Sequence, residues 1–355
     1  MDKLHLEVSS GRVREEEWRI FLGRSLNPPI YQTPEWVRFY VKTNEQYKAK
    51  PKFLQVLEDG IPLGFMVYFE RKKEVSEVRI YRAPVSIVGE EDKREKIFLE
   101  VINYILGLNK KIPLIKWLPD YFFNYKSLCK SLFYVTPECR FILNLDCPVE
   151  SLFLNLNKKC RNAIRKAQKS GVKVIEGKDK ADLEMFYSLY LITARKNNFK
   201  PKDYSYFKLM WKILKPKNML HLLLAKYNKE IISAALFLEY GGRVEYEMAG
   251  TNYDYAKLGS NNLILWRMIE KAKNSRCKYF DFRLVECEPK EQKGVYNFKK
   301  SFGGEFTVNY IYDRFNFVWD LRKYSLNFFL SKSTYNKAVK YVKSIFSSPQ
   351  NKTIR

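Results

Sequence analysis

Histidine is nearly absent from this chain. Its 355 residues include only His5 and His221. His5 lies in a polar opening stretch, and His221 begins an apolar, strand-like run, HLLLAKY, which suits a packing role. A Ser-His-Asp or Cys-His nucleophile therefore lacks its residues, as does a His-ligated metal. The six cysteines (Cys129, Cys139, Cys147, Cys160, Cys277 and Cys287) contain no CxxC pair. Their spacing fits neither a zinc site nor a disulfide framework, so the expectation is buried or idle thiols in a reducing cytoplasm. No apolar run approaches the roughly 20 residues that span a bilayer. Met1–Ser10 has no apolar core behind its charges and does not read as a secretory signal. Acidic residues are scarce too: 39 Asp+Glu stand against 64 Lys+Arg, a net charge of +25. Such a surplus draws polyanions, whether RNA, a phosphate-bearing substrate or an anionic membrane; the plain alternative is a solvated lysine-rich face.

What is present is core material. Hydrophobic residues make up 46% and aromatics 16%, which excludes a disordered chain, and the length suits two domains. An internal repeat supports two. FLQVLEDGIPLGFMVYFE (53–70) and LLLAKYNKEIISAALFLE (222–239) are each an apolar strand, a polar turn and a second apolar strand, the signature of a hairpin. KREKIFLEVINYILGL (93–108) has helical periodicity and leads into LIKWL (114–118). NNLILWRMIEKAK (261–273) likewise leads into KYFDFRL (278–284). Helices at 14–22 and 34–42 precede the first hairpin, and helices at 181–196 and 203–214 precede the second. This order predicts layered α+β units rather than an alternating βαβ chain. Cys147-Pro148 marks the cut, giving domains 1–148 and 149–312 and a basic amphipathic tail, 313–355. In that tail apolar side chains alternate with Lys and Arg, which suits an anionic leaflet or packing back on a domain.

Two segments stand out chemically. VESLFLNLNKKCRNAIRKAQKSG (149–171) reads as one long basic helix stopped by Gly171. Lys158, Arg161, Arg165 and Lys169 recur on one face, where they suit several phosphates or simply water. GVYNFKKSFGGEF (294–306) sets Lys299 and Lys300 between aromatics, beside a Gly-Gly turn. A desolvated lysine there stabilises developing negative charge, although a strand and turn with snorkelling lysines fits equally. Among carboxylates, Glu245 and Glu247 alternate along a predicted strand and share a face, and Asp281 ends another. Tyr253 is a candidate proton donor. Each of these four fits a surface charge or a packing tyrosine as well.

NKKCRNAIRKAQKSGVKV, YAKLGSNNLILWRMIEKA, KYFDFRL and GVYNFKKSFGGE, in this order, resemble the FemAB/FemX family of peptidoglycan-bridge aminoacyltransferases and related FemAB-like proteins of the GNAT superfamily. YQTPEWVRFY (31–40) joins the match, which covers most of residues 30–312. The resemblance implies an α+β fold: two tandem GNAT-like domains with mixed, largely antiparallel sheets flanked by helices. It implies an aminoacyltransferase with aminoacyl-tRNA as donor and no bound cofactor; with the basic tail, the expectation is a cytoplasmic enzyme peripheral to the inner membrane face. The acceptor would be an amine on a phosphate-bearing or lipid-linked envelope precursor. The lysine of the FK-x-x-FG motif falls on Lys299. Where typical members carry a lysine four residues after the tryptophan, this chain has Tyr40, leaving Arg38 and Lys42 nearby as substitutes. The stretch Tyr255–Asn261 holds one glycine and is a poor pyrophosphate loop, which disfavours coenzyme A. An acyl-coenzyme A N-acyltransferase and a non-catalytic RNA- or membrane-binding relative are the rival expectations.

Overall fold

A computed structural model describes residues 6–11, 13–72, 76–109, 112, 114–120, 133–290 and 293–315. Along the chain these form β1 (Leu6–Gly11), α1 (Glu15–Arg24), α2 (Pro34–Thr43), β2 (Lys50–Glu58), β3 (Ile61–Lys72), β4 (Ser76–Tyr81) and the short β5 (Val85–Ser86). Then come α3 (Glu91–Asn109), β6 (Leu114–Leu118), β7 (Tyr134–Asn144), α4 (Val149–Asn155), α5 (Lys158–Lys169) and β8 (Lys173–Glu176). The order ends with α6 (Lys180–Lys196), α7 (Tyr204–Leu214), β9 (Leu220–Tyr227), β10 (Glu230–Tyr240), β11 (Arg243–Thr251), α8 (Ser260–Asn274), β12 (Tyr279–Val285), α9 (Lys293–Lys300) and β13 (Glu305–Phe315).

Local signals explain most boundaries. Thr33 caps α2 by accepting the Trp36 amide at 3.2 Å, ahead of Pro34 at the first turn. Asp179 accepts from the Asp182 amide, and Asp182 in turn accepts from Lys178, a reciprocal cap on α6. Both hairpin turns use left-handed residues, Asp59-Gly60 in one and Asn228-Lys229 in the other. The stretch 149–171 is two helices, not one. Asn157 accepts from the Lys159 amide and starts a new helix, so the chain turns at Leu156.

The residues divide into two compact units, and neither is a continuous stretch. One is built on Asn44–Thr136 with strand residues from both flanks; the other joins Val13–Thr43 to Pro137–Asn309. The contiguous cut at 148/149 therefore does not describe them, because α1, α2 and most of β7 belong with the second repeat. In the first unit β1, β2, β3 and β4 pair antiparallel in sequence order, β6 joins β4 parallel, and Tyr312–Phe315 of β13 closes antiparallel on β6. In the second unit β8, β9, β10 and β11 follow the same pattern, β12 joins β11 parallel, and β7 closes antiparallel on β12. The hairpins occupy equivalent places, so the duplication is visible in the topology.

Each unit has its own core. In the first, α3 buries Ile97, Phe98, Val101, Ile102 and Ile105 against β-strand residues that include Met66, Ile115 and Trp117. In the second, α8 buries Leu263, Ile264, Trp266, Met268 and Ile269 beside Phe237, Val244 and Phe280. No helix among the described residues is long and apolar enough to cross a membrane. The tail from residue 316 onward lies outside the described residues, as does Cys129.

Candidate functional site

The parallel pair at the centre of the second unit is incomplete. β11 and β12 pair at Arg243↔Tyr279, Val244↔Phe280 and Glu245↔Asp281, and no further pair follows among the described residues. Both strands nevertheless run on, β11 to Thr251 and β12 to Val285. The cause lies on the other edge of β12. Its register with β7 shifts from Asp281↔Ile142 to Leu284↔Arg140, an insertion of one residue. Arg283 takes the strain with φ +59°, a region that non-glycine residues seldom occupy. The bulge turns β12 away from β11 and leaves a wedge between the strand ends.

Charged side chains gather around this wedge. Arg140 is fully buried in β7 and donates to Asp281 at 2.5 Å and to Glu138 at 2.6 Å. Asp281, also fully buried, accepts the Arg283 amide through its second oxygen at 2.6 Å. The Arg283 side chain pairs with Glu247 and lies 4.0 Å from Glu245. Tyr31, from the segment before α2, donates to Glu245 at 2.6 Å. Buried charge survives only when it is paired, and each of these groups has an oppositely charged neighbour.

Lys299 stands apart from that pairing. It sits on α9, buried, with its ammonium donating to the Leu284 carbonyl at 2.9 Å and 5.8 Å from the Tyr246 ring centre. Burial pushes its pKa down to about 8; Asp281 opposes the fall, while Arg283 and Arg140 add to it. The Tyr246 hydroxyl is raised, chiefly by burial. The turn after α9 fixes this helix: Gly303 has φ +79°, and a Cβ there would stand 2.9 Å from the Asn155 carbonyl. The segment expected as either a lysine site or a strand and turn is thus a helix with one lysine inside. Its neighbour Lys300 is exposed, with its ammonium 5.9 Å from the Tyr296 ring centre.

The other predicted residues distribute unevenly. Asp281, Glu245 and Glu247 join Lys299 around the wedge. Tyr253 does not: it is exposed on a 3-10 turn, where its hydroxyl accepts from Asn197 at 3.3 Å. Arg38 is half-exposed and paired with Glu15 at 2.8 Å and Glu35 at 3.2 Å, away from the wedge residues. On α5, Lys158, Arg165 and Lys169 are exposed. Arg161 instead donates to the Leu154 carbonyl at 2.6 Å and to that of Leu156, closing the end of α4. Arg165 lies 5.3 Å from the Phe153 ring centre. The sequence reading missed Arg140, Glu138, Arg283 and Tyr31; a lone arginine within the apolar run CRFILNL was the available signal for Arg140.

The cysteine expectation also needs correction. Cys139 and Cys287 form a disulfide across 148 residues, while Cys147, Cys160 and Cys277 are free. The pairing of Cys139 with Val285 in the β7–β12 ladder brings the two together, and spacing along the chain carries no trace of that. A separate hollow of about 290 Å³ lies beside the Gly241–Gly242 turn, at the start of β11, and holds none of the wedge residues.

The arrangement offers one buried ammonium beside a gap between strands, with carboxylates held by arginines. That suits stabilising an oxyanion on an extended substrate. Comparison with known proteins agrees in fold. Residues 155–300 match the family model described as an acetyltransferase (GNAT) domain. The lipid II:glycine glycyltransferase of Staphylococcus epidermidis is 26% identical over 165 residues, 46% of this chain and 38% of that protein. The chain thus spans well under half of that relative's length. The protein of the same name from Staphylococcus aureus is 25% identical over 260 residues, 70% of this chain and 58% of the relative. The crystal structure of FemX superposes with a TM-score of 0.71 at 17% identity, covering 87% of this chain and 97% of that one. The fold is of the GNAT type, α+β, and is similar to that of FemX.

Proposed function

We propose that the protein transfers an aminoacyl group from aminoacyl-tRNA to a primary amine of a peptidoglycan-type envelope precursor. The relatives named lipid II:glycine glycyltransferase support the substrate class. The observation that carries the chemistry is Lys299, a buried ammonium at the wedge between β11 and β12. The neutral acceptor amine attacks the ester carbonyl of the donor, forming a C–N bond and a tetrahedral oxyanion. Lys299 stabilises that oxyanion. Its collapse breaks the ester C–O bond and releases the ribose hydroxyl of the tRNA, which takes the proton lost by the amine.

Asp281, Glu245 and Glu247 are each bound to, or close to, an arginine. Their proposed role is to place Arg140 and Arg283 and to offset the positive charge around Lys299. The exposed Lys158, Arg165 and Lys169 of α5 provide a basic surface for the donor's phosphates. The acceptor is lipid-linked or nucleotide-linked, and the reaction belongs to the cytoplasmic side of the membrane. No bound cofactor enters the scheme.

Transfer of radiolabelled amino acid from charged tRNA to a nucleotide-linked or lipid-linked muropeptide tests the proposal, with acetyl-coenzyme A and uncharged tRNA as parallel arms. Label in the muropeptide only with charged tRNA supports it. Thiol release from acetyl-coenzyme A with no tRNA-dependent transfer replaces it with the coenzyme A reading.

A further inference from the structure

The outer face of α6 departs from what a surface helix of a soluble domain presents. Its inner side buries Leu183, Phe186, Leu189, Tyr190 and Ala194. The opposite side should then be polar. Instead Met185, Leu191 and Ile192 are exposed, at 44%, 37% and 42%. Met185 and Ile192 are seven residues apart and so lie in line along the helix. The helix ends in Arg195-Lys196, and the chain continues as Asn-Asn-Phe-Lys-Pro-Lys into α7. Phe199 in that loop is 41% exposed, although its ring touches Tyr190 at 5.7 Å between centres. From Arg195 to Lys202 there are four basic residues and no acid, and all four are exposed.

Single exposed apolar residues are ordinary. Three aliphatics and a phenylalanine leading into a loop of four exposed basic residues are not, and Glu184, the exposed acid of that face, is paired with Lys180. The chemistry favours a bilayer over RNA. Aliphatic side chains neither stack on bases nor bond to them, whereas single-stranded nucleic acid is held on rows of aromatics. At a lipid interface the same residues enter the acyl boundary while lysines and arginines reach to the head groups.

The location is informative as well. The Thr251 amide, at the end of β11, donates to the Thr193 hydroxyl on α6 at 2.9 Å. Gly250 lies under the backbone of Leu189 and Tyr190, where a Cβ would stand 2.4 Å from the Tyr190 nitrogen. Asn197 bonds Tyr253, just past β11. The inner side of α6 therefore packs on the end of β11, its last turn reaches Tyr253, and the apolar face lies on the other side of the helix.

We propose that the outer face of α6 and the loop through Lys202 dock the protein on an anionic bilayer. The inference deepens the proposed function and rests on it only for purpose: docking would bring the enzyme to an acceptor held in the membrane. Docking itself is measured independently of transfer.

The test uses the full chain and sedimentation with vesicles of phosphatidylcholine, with and without phosphatidylglycerol. The wild type should bind only the anionic vesicles, and less at high salt. Ile192→Ser with Phe199→Ser should lower partitioning about tenfold. Arg195→Gln with Lys200→Gln and Lys202→Gln should lower it by roughly fivefold per residue, on the order of a hundredfold together. Both variants should melt as the wild type does and keep transfer to a water-soluble acceptor, while transfer to a vesicle-embedded acceptor falls with binding. No binding by the wild type overturns the proposal. So does binding by both variants equal to wild type, which would move docking to another segment. Variants that lose RNA binding while keeping vesicle binding overturn it in favour of a nucleic-acid surface. If no version transfers an amino acid to either acceptor, the proposed function fails while the vesicle result stands.

Discussion

Replacing Lys299 by Met separates the chemical value of its charge from its structural cost. The side chain is buried, and its pKa falls from the ordinary 10.5 to about 8. That fall corresponds to about 3 kcal/mol held against the charged form in the folded protein. Met fills nearly the same volume without the charge, and leaves the Leu284 carbonyl without its donor at a cost of about 1 kcal/mol. Lys299→Met should therefore fold as stably as the wild type, or more so. Its kcat should drop by about 10²–10³, the usual loss when one oxyanion donor is removed. The pH dependence sharpens the test. With a pKa near 8, the wild-type ammonium is mostly charged at pH 7, and its contribution to kcat should disappear as pH rises through about 8. In Lys299→Met that alkaline decline should be absent. Stability carries the opposite sign: the folded state gives up this proton before the unfolded chain does, so wild-type stability should gain between about pH 8 and pH 10.5. The variant should lack that gain. Single-turnover transfer and thermal melting across this range measure both. Wild-type kcat in Lys299→Met, or a collapse of its melting temperature along with its activity, would remove Lys299 from the reaction.

Further outcomes follow from other contacts. Arg140→Met leaves Asp281 and Glu138 buried without their cation and should cost about 3–5 kcal/mol in urea unfolding. Gly250→Ala forces a Cβ to 2.4 Å from backbone of α6 and should cost about 1–3 kcal/mol, read from the melting temperature. Replacing Lys158, Arg165 and Lys169 together by Ala should leave stability nearly unchanged while reducing the salt dependence of tRNA affinity by a slope of about 2–3. Arg161→Ala should do the reverse, losing about 1 kcal/mol of stability because it frees the α4 carbonyls, with little effect on the salt slope.

What could be seen in the sequence was local. The hairpins, the helices at 34–42, 93–108 and 203–214 and the strand 114–118 carry their period and their caps within a few residues, and they form within three residues of the expected bounds. The break at Leu156–Asn157 was masked because the apolar spacing runs through it, while the Asn157 side chain decides the new start. Long-range pairing left no such mark. β7 closes the sheet of the second unit, and the end of β13 closes that of the first, so the units are discontinuous even though their strands are locally ordinary. The disulfide and the Arg140–Asp281 pair depend on that same closure. Lys299 was identified by resemblance; its residues alone left helix and strand open. Its burial comes from the turn at Gly303 and the packing of α9, neither of which a composition of lysines and aromatics reveals.

Duplication gave two versions of one sheet, and their registers differ at the place where the proposed chemistry sits in the second. In the first unit the parallel strands pair Glu77↔Leu114, Val78↔Ile115 and Arg79↔Lys116, then continue through Ile80↔Trp117 and Tyr81↔Leu118 to the ends of both strands. In the second unit the same first three steps are Arg243↔Tyr279, Val244↔Phe280 and Glu245↔Asp281, and the ladder stops there. The middle step is apolar in both copies. The third differs in sign: two bases in the first copy, two acids in the second. Beyond it, the first copy spends its backbone groups on a closed ladder and buries Trp117 in its core. The second inserts a residue at Arg283, turns β12 outward, and meets its acids with Arg140 and Arg283. Facing edges of β11 and β12 beyond that point lie where an extended substrate can add its own hydrogen bonds, as a strand adds to a sheet edge. The lost ladder is tolerable because the buried ion pairs and α9 hold the two strands at a set separation. Closing the gap would restore backbone pairing and remove the site.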